Sequence, residues 1–190
     1  AMERGAGSRA APSKPPVSYR IVRRFYRFLT GVWFREVNVV DDEHLPPEGG
    51  RLYITWHPSG LIDPMLMTAV LPGQLITVAK HTLFRVPLLG RLLSFSGVVP
   101  VERANDTDDP EGARQRNASR LATLASNLAQ GKDVLIFPEG STHSDSDVRR
   151  VRSGAARILL AAVREADSAG HPRPSVIPVS YTHLRAHETR

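Results

Sequence analysis

The chain has 190 residues and a mass of 20.9 kDa, enough for one domain with a sizeable core but not for two full domains. Hydrophobic residues make up 41% and charged residues 23%, values that are ordinary for a globular protein and exclude a collagen-like or wholly disordered chain. Cysteine is absent, which excludes disulfides, a thiolate nucleophile and cysteine-ligated zinc or iron–sulfur sites.

The net charge of +6 comes almost entirely from arginine. Only three of the 25 basic residues are lysines, leaving 22 arginines. Arginine suits planar, two-point recognition of phosphate and carboxylate groups. The composition therefore indicates a partner with negative charge, such as anionic lipid, a phosphorylated small molecule or nucleic acid.

Residues 1–18 are rich in Gly, Ser, Ala and Pro and predict a disordered arm. Residues 19–45 form the next segment, in which a basic amphipathic helix is predicted from Tyr19 to Val40. Its apolar residues recur at helical spacing, with arginines between them: Ile21, Val22, Phe25, Phe28, Leu29 and Val32. Two interpretations are open: an interfacial segment on anionic lipid, with Trp33 and Phe34 at the headgroups, or a helix packed on the domain with its arginines in water.

Membrane-spanning and secretory segments are not indicated. No uninterrupted apolar run reaches the roughly 18 residues that a spanning helix needs, and the first 18 residues lack the apolar core of a signal peptide. We therefore expect a protein on the cytosolic side.

Residues 46–180 alternate between strand and helix patterns. Short apolar runs predict strands at 51–56, 74–78, 97–101, 133–137 and 175–179. Helical patterns lie between them at 64–71, 83–95, 111–130 and 154–166. The predicted fold class is α/β, with a central, largely parallel or mixed sheet flanked by helices and preceded by the N-terminal amphipathic helix.

The last ten residues, 181–190, are polar without amphipathic period and resemble translated sequencing-adapter DNA. We expect them to be a non-native tail on a chain truncated at its C-terminus, and we leave their histidines out of the candidate site.

A histidine at the end of the first predicted strand carries the strongest chemical signal. His57 is followed by Asp63, which enters the next helix beside Pro64. A carboxylate bound to one imidazole nitrogen sets the tautomer and leaves the other nitrogen free as a general base. The alternative is an aspartate that caps the helix and a histidine with a structural role.

Two further polar turns follow predicted strands. Glu139, Gly140 and Ser141 follow the fourth strand, and Arg103 follows the third. In a parallel sheet these ends meet at the same edge as His57. Arg152, beside the start of a predicted helix, is a candidate phosphate ligand, with a solvated charge run as the alternative.

In combination, the three motifs resemble the glycerol-phosphate and lysophospholipid acyltransferase family over roughly residues 50–180. The order of residues from Lys80 to Arg103, and Ile177-Pro178-Val179 further on, also resembles that family. Five residues separate His57 from Asp63 where the family usually has four. This longer spacing is similar to the branch that acylates glycerol-3-phosphate and dihydroxyacetone phosphate, and Gly60 can absorb the extra residue at positive φ.

The resemblance implies that a fatty acyl group passes from acyl-CoA or acyl-carrier protein to a hydroxyl of glycerol-3-phosphate or lysophosphatidic acid. His57 would be the base and Asp63 its orienter, without an acyl-enzyme. Arg103 would pair with the acceptor phosphate, with Lys80 as a further phosphate-binding candidate. The turn formed by Glu139, Gly140 and Ser141 would hold the acceptor, Glu139 contacting its hydroxyls or orienting Arg103. The resemblance implies a peripheral or monotopic protein on the cytoplasmic face of a membrane, with the membrane surface as a partner. It implies no metal, no organic cofactor and no nucleic-acid partner.

Three alternatives belong to other classes. A serine hydrolase could use Ser141, although the G-x-S-x-G turn of such enzymes is missing. A metal hydrolase could use His57, Asp63 and His143, but no ligand spacing specifies a site. A non-catalytic lipid- or nucleic-acid-binding module could rely on the arginines alone, which would leave His57, Asp63 and Glu139 at strand ends unexplained.

Overall fold

The computed structural model describes residues 15–57, 59–102, 109–140 and 151–180. Within these ranges five α-helices and five strands alternate: α1 (Val17–Trp33), β1 (Arg51–Thr55), α2 (Ile62–Val70), β2 (Leu75–Lys80), α3 (Leu89–Phe95), β3 (Val98–Val101), α4 (Pro110–Ala129), β4 (Asp133–Ile136), α5 (Gly154–Ala169) and β5 (Ser175–Val179). Short 3-10 helices at Asp42–His44 and His81–Arg85 complete the described elements. None of the described helices is long and apolar enough to cross a membrane.

The strands form one sheet in the order β3-β2-β4-β1-β5, and every pair in it is parallel. The core on one face contains apolar side chains of α4 and α5, and the core on the other contains those of α2. α1 adds a smaller cluster against α2, with Leu92 of α3 beside it. The predicted α/β class and the predicted central sheet are confirmed.

Local signals set the ends of the helices on the α4–α5 face. Asp109 precedes Pro110 and accepts a hydrogen bond from the Gly112 N–H at 2.8 Å, capping the start of α4. α5 ends at Gly170, whose φ of 67° suits glycine and stops the helix. The turn at Gly170 leads the chain into β5.

Two predicted helix boundaries were wrong. α1 begins at Val17, inside the predicted arm of residues 1–18, and ends at Trp33, seven residues before Val40. The rest of that arm, residues 1–14, lies outside the described residues, as does the tail at 181–190. Residues 34–40 contain no helix, because their β-branched side chains favour extended backbone.

The helix predicted at 83–95 is interrupted. The 3-10 helix ends at Arg85, and α3 starts at Leu89. Pro87 has no N–H to continue a helix, and Leu88 has a φ of 64°, outside the helical range.

α1 packs on the domain in an orientation that its sequence did not reveal. Arg23 donates to the carbonyl oxygens of Leu71 and Gly73 at 2.6 and 3.1 Å, and Arg27 donates to Ala69 at 2.9 Å. These carbonyls belong to the end of α2 and the turn after it, where cations are favoured. α1 also accepts a hydrogen bond from the Leu75 N–H, which donates to the Tyr19 hydroxyl at 3.0 Å.

At the amino-terminal edge of the sheet, β1 and β4 are joined by a two-point ion pair. Arg51 donates to the carboxylate of Asp133 at 2.8 and 2.6 Å, and both side chains are nearly buried. The hydrogen bonds to Asp133 raise the pKa of Arg51. The Arg51 guanidinium also lies over the ring of Tyr53, 5.9 Å from its centroid.

Tyr53 gives the fold a specific response to alkaline pH. Burial raises the pKa of its phenol to about 12, whereas the pKa of a tyrosine in an unfolded chain is about 10. Between these values the unfolded state binds fewer protons than the folded state, so stability is lost as the pH rises.

We predict that Tyr53→Phe makes the pH dependence of the free energy of unfolding shallower between about pH 10 and about 12. At pH 7 the substitution should cost little, because the Tyr53 hydroxyl has no hydrogen-bond partner among the described residues. Urea unfolding of both proteins across this range measures the effect. An unchanged slope would contradict it.

Candidate active site

The carboxyl ends of β1 and β4 lie where the chain turns toward the two faces of the sheet. The two strands are neighbours in the sheet, but the helices that follow them lie on opposite faces, α2 on one and α5 on the other. In open parallel sheets such a divergence leaves space where ligands bind. His57 and Glu139 follow the two strands at this point.

His57 and Asp63 form a hydrogen-bonded pair, as predicted. The distance from His57 Nδ1 to Asp63 Oδ2 is 2.9 Å. Asp63 is 1% exposed, whereas the His57 side chain is 17% exposed. With Nδ1 bound to the carboxylate, Nε2 is the ring atom left to meet a substrate.

The turn between the two residues explains how this pair forms. Ser59 donates its N–H to Asp63 Oδ2 at 2.8 Å, which gives the buried carboxylate a second partner. Gly60 has a φ of 55°, as expected for the residue that absorbs the longer spacing. Asp63 is the second residue of α2, where the helix dipole favours a negative charge. The cap position itself is Leu61, which makes no side-chain capping bond.

One face of the His57 imidazole ring packs against the ring of Phe137. The two rings are stacked with centroids 4.0 Å apart and an angle of 23° between their planes. Phe137 follows β4, so this contact ties the histidine to the neighbouring strand. The sequence motif had identified Phe137 only as the end of a strand. Nothing in the sequence pairs it with His57, because that contact depends on which strand lies next to β1.

Glu139 lies at the same edge as His57. His57 lies two residues after the end of β1 and Glu139 three residues after the end of β4, and these two strands are parallel neighbours. Glu139 is only 3% exposed, although it is a carboxylate in a turn. The predicted convergence of Glu139 with the His57–Asp63 pair at one sheet edge agrees with this placement.

Gly140 brings Arg152 to the same turn. Gly140 has a φ of 67°, and a side chain there would meet the Arg152 guanidinium, whose Nε lies 3.2 Å from the position of a Cβ. The Arg152 N–H also donates to the Pro138 carbonyl at 2.8 Å. The structure thus places a cation directly over the glycine of the Glu139-Gly140 turn.

The other predicted site residues divide into two groups. Lys80 is the last residue of β2 and is aligned with Val101, so it lies at the same sheet edge as His57 and Glu139, two strands from β1. Arg103, Ser141 and His143 lie outside the described residues.

Glu102, the residue before Arg103, is held by side chains of α4 that the sequence analysis did not single out. Asn117 accepts a hydrogen bond from the Glu102 N–H at 3.0 Å and donates to the Glu102 carbonyl. Arg116 and Arg120 contact the Glu102 carboxylate at 2.7 and 3.2 Å. Hydrogen bonding to Arg116 lowers the pKa of Glu102. The arginine spacing of four residues on α4 was the available signal, since it places both on one helix face.

Among the described residues, one group has the spacing of metal ligands: the exposed residues Asp41, Glu43 and His44. It does not include His57 or Asp63. The alternative metal site of His57, Asp63 and His143 includes a residue outside the described ranges.

Comparison with known proteins agrees with the architecture. The 1-acyl-sn-glycerol-3-phosphate acyltransferase of Borreliella burgdorferi is 23% identical over 133 residues, which are 70% of this chain and 48% of that protein. The lyso-ornithine lipid O-acyltransferase of Brucella abortus is 26% identical over 168 residues, covering 88% of this chain and 57% of that protein. The chain thus spans about half the length of the curated relatives it matches.

Among solved structures, the 1-acyl-sn-glycerophosphate acyltransferase PlsC of Thermotoga maritima superposes with a TM-score of 0.58. The sequences are 18% identical, and the match covers 84% of this chain and 55% of the PlsC chain. This likeness shows a shared fold.

The sequence profile of the Acyltransferase family matches residues 36–182. That range contains all five strands and the His57–Asp63 pair. Because the profile covers most of the chain and the fold agrees with it, this protein belongs to the acyltransferase family.

Proposed function

We propose that this protein transfers a fatty acyl group from a thioester to a hydroxyl of a glycerol-phosphate-type acceptor. The observation that carries the proposal is the 2.9 Å contact between His57 Nδ1 and the buried carboxylate of Asp63 at the carboxyl edge of the sheet. Membership of the acyltransferase family supports the reaction class.

The chemistry follows from the free nitrogen of His57. Nε2 accepts the proton of the acceptor hydroxyl, and the oxygen attacks the thioester carbonyl carbon. The tetrahedral intermediate then collapses, the C–S bond breaks, and the thiolate takes the proton from the imidazolium. Asp63 stabilises the imidazolium through the bond to Nδ1–H and holds the ring in orientation. The acceptor attacks the donor directly, so no acyl-enzyme forms.

The donor in this proposal is acyl-CoA or acyl-carrier protein, since both present a thioester. The base and its orienting carboxylate are side chains of the protein, and the thiol is a good leaving group. The proposed reaction therefore uses no metal and no organic cofactor.

Acceptor binding is assigned to the cations at the sheet edge. We place the phosphate near Arg152, Lys80 and Arg103, and the acceptor hydroxyls near the turn of Glu139, Gly140 and Ser141. The position of Arg152 over Gly140 supports its assignment as a ligand of the acceptor phosphate.

The acceptor has a second candidate. The Brucella abortus relative, which matches 88% of this chain, is named for a lyso-ornithine lipid, not for a glycerol phosphate. Lyso-ornithine lipid is therefore tested beside lysophosphatidic acid and glycerol-3-phosphate.

We further propose that the protein works as a peripheral membrane protein on the cytoplasmic face, with α1 as an interfacial segment. Support comes from the outer side of α1, where the apolar side chains are exposed: Ile21, Phe25, Phe28, Val32 and Trp33. An amphipathic helix that presents such a face beside arginines binds anionic lipid surfaces.

We predict that His57→Ala lowers acyl transfer by about 10²- to 10⁴-fold, because it removes the base. Asp63→Asn should lower it severely as well, since an amide no longer stabilises the imidazolium and can favour the wrong tautomer. Acceptor-dependent thiol release from palmitoyl-CoA measures both, with the three acceptors offered separately.

His171→Ala, which removes an exposed histidine beyond α5, is the matched control and should retain full activity. Unfolding curves of the variants show whether each is folded. A folded His57→Ala protein with turnover near that of the control would refute the mechanism.

We also predict that Arg152→Gln raises the KM for a phosphate-bearing acceptor by about tenfold or more, because one charge-assisted contact is lost. The KM for the donor should stay the same. The control is Arg157→Gln, because Arg157 is an exposed arginine near the start of α5. If only the KM for the donor changed, the assignment of Arg152 to the acceptor phosphate would be wrong.

A further inference from the structure

The turn before α3 holds an apolar side chain out in solvent at the expense of backbone strain. Leu88 has φ 64° and ψ −53°, and the Leu89 N–H donates to the Pro87 carbonyl at 2.7 Å. This is the positive-φ form of a γ-turn, which is rare and strained for a residue with a side chain. Leu88 is nevertheless 78% exposed, so no packing contact within the described chain explains the conformation.

Leu88 belongs to a stripe that runs along α3. Leu88, Leu92 and Phe95 are spaced by four and three residues, which places them on one side of the helix. The middle residue, Leu92, packs against the small core cluster between α1 and α2. Phe95, like Leu88, is exposed. The two exposed residues therefore flank the line where α3 meets α1.

A hydrogen bond joins the end of this stripe to α1. The Tyr26 hydroxyl lies 3.1 Å from Ser96 Oγ, and both side chains are buried. The neighbouring Phe25 ring contacts that of Tyr26 and is itself exposed. We call the exposed apolar side chains of the two elements the α1–α3 face: Ile21, Phe25, Phe28, Val32, Leu88 and Phe95.

Within the two chain segments that form the α1–α3 face, the charged side chains are all positive. Neither α1 nor the chain from β2 through β3 contains a single Asp or Glu. Arg20 and Arg24 are exposed on α1, and Arg85 and Arg91 are exposed beside Leu88. A second copy of the chain would bring like charges together across such a face, whereas anionic lipid headgroups complement them.

We propose that the α1–α3 face docks on an anionic bilayer as one surface and that the strained turn inserts Leu88 between the headgroups. This inference rests on the proposed membrane association and deepens it, because it adds a second element, α3, to the interfacial segment. Two elements in contact with the bilayer define a plane, so the domain binds in one orientation instead of pivoting about α1.

Vesicle sedimentation tests the proposal on the full chain. The probes are vesicles of equal parts phosphatidylcholine and phosphatidylglycerol and vesicles of phosphatidylcholine alone. The variants are Leu88→Gly, which suits the positive φ, and Leu88→Asp. Leu160→Asp is the matched control, because Leu160 is 58% exposed on α5, across the sheet.

We expect Leu88→Gly to weaken binding to the anionic vesicles by about tenfold or more, the effect of withdrawing one leucine side chain from lipid. Its unfolding midpoint should equal or exceed that of the unmodified protein, because glycine relieves the strained turn. Leu88→Asp should weaken binding at least as much, and Leu160→Asp should leave it unchanged.

Three outcomes would overturn the inference. The first is equal binding of the Leu88 variants and the Leu160 control, and the second is equal binding to both kinds of vesicle. The third is a concentration-dependent dimer in light scattering that Leu88→Asp dissociates, which would assign the face to a second copy.

Acyl transfer by the unmodified protein to soluble glycerol-3-phosphate without vesicles is measured separately, so failure of the proposed chemistry and failure of the docking surface are told apart.

Discussion

The parallel pairing of β1 with β4 is the constraint on which the candidate site depends. It aligns Ile54 with Ile136, brings the His57 ring onto Phe137 and places Glu139 at the same sheet edge as the histidine. Since a slip of one residue would turn every side chain of a strand to the other face, the pairing must be exact in register. The nearly buried ion pair of Arg51 with Asp133 at the other end of the same two strands favours this register alone, because a slip would separate the two charges.

A second constraint comes from how α1 is attached. Its inner side makes polar contacts, with Arg23 and Arg27 donating to carbonyl groups around the end of α2. The helix is thus held by hydrogen bonds and a small apolar cluster, and its larger apolar side chains remain exposed. In water alone that arrangement leaves hydrophobic surface unburied. In the proposed membrane association, a lipid surface covers this apolar face and brings the domain close to lipid acceptors.

Much of the site could be predicted from sequence because its parts are local. His57 and Asp63 are six residues apart, and the strand end, the glycine at positive φ and the helix start between them are all visible in the chain. Glu139 and Gly140 follow an apolar run that could only be a buried strand. Alternation of strands and helices was enough to predict the α/β class.

The features that escaped prediction depend on contacts between distant parts of the chain. Periodicity shows that α1 has an apolar stripe, but it does not show which side of the helix meets the domain. The break at Leu88 has no signal beyond the preceding proline, because leucine rarely adopts positive φ. The Asn117 contacts with the Glu102 backbone require the end of β3 to meet α4, which only the folded structure reveals.

In the proposed mechanism, the His57–Asp63 pair activates the acceptor hydroxyl and the acyl group passes to it directly. Rapid-quench measurement of the first turnover with palmitoyl-CoA, with and without acceptor, tests this claim. We expect thiol release only when the acceptor is present, with no acyl group bound covalently to the protein at any time. A burst of thiol without acceptor, matched by an acylated protein in the mass spectrum, would contradict the account.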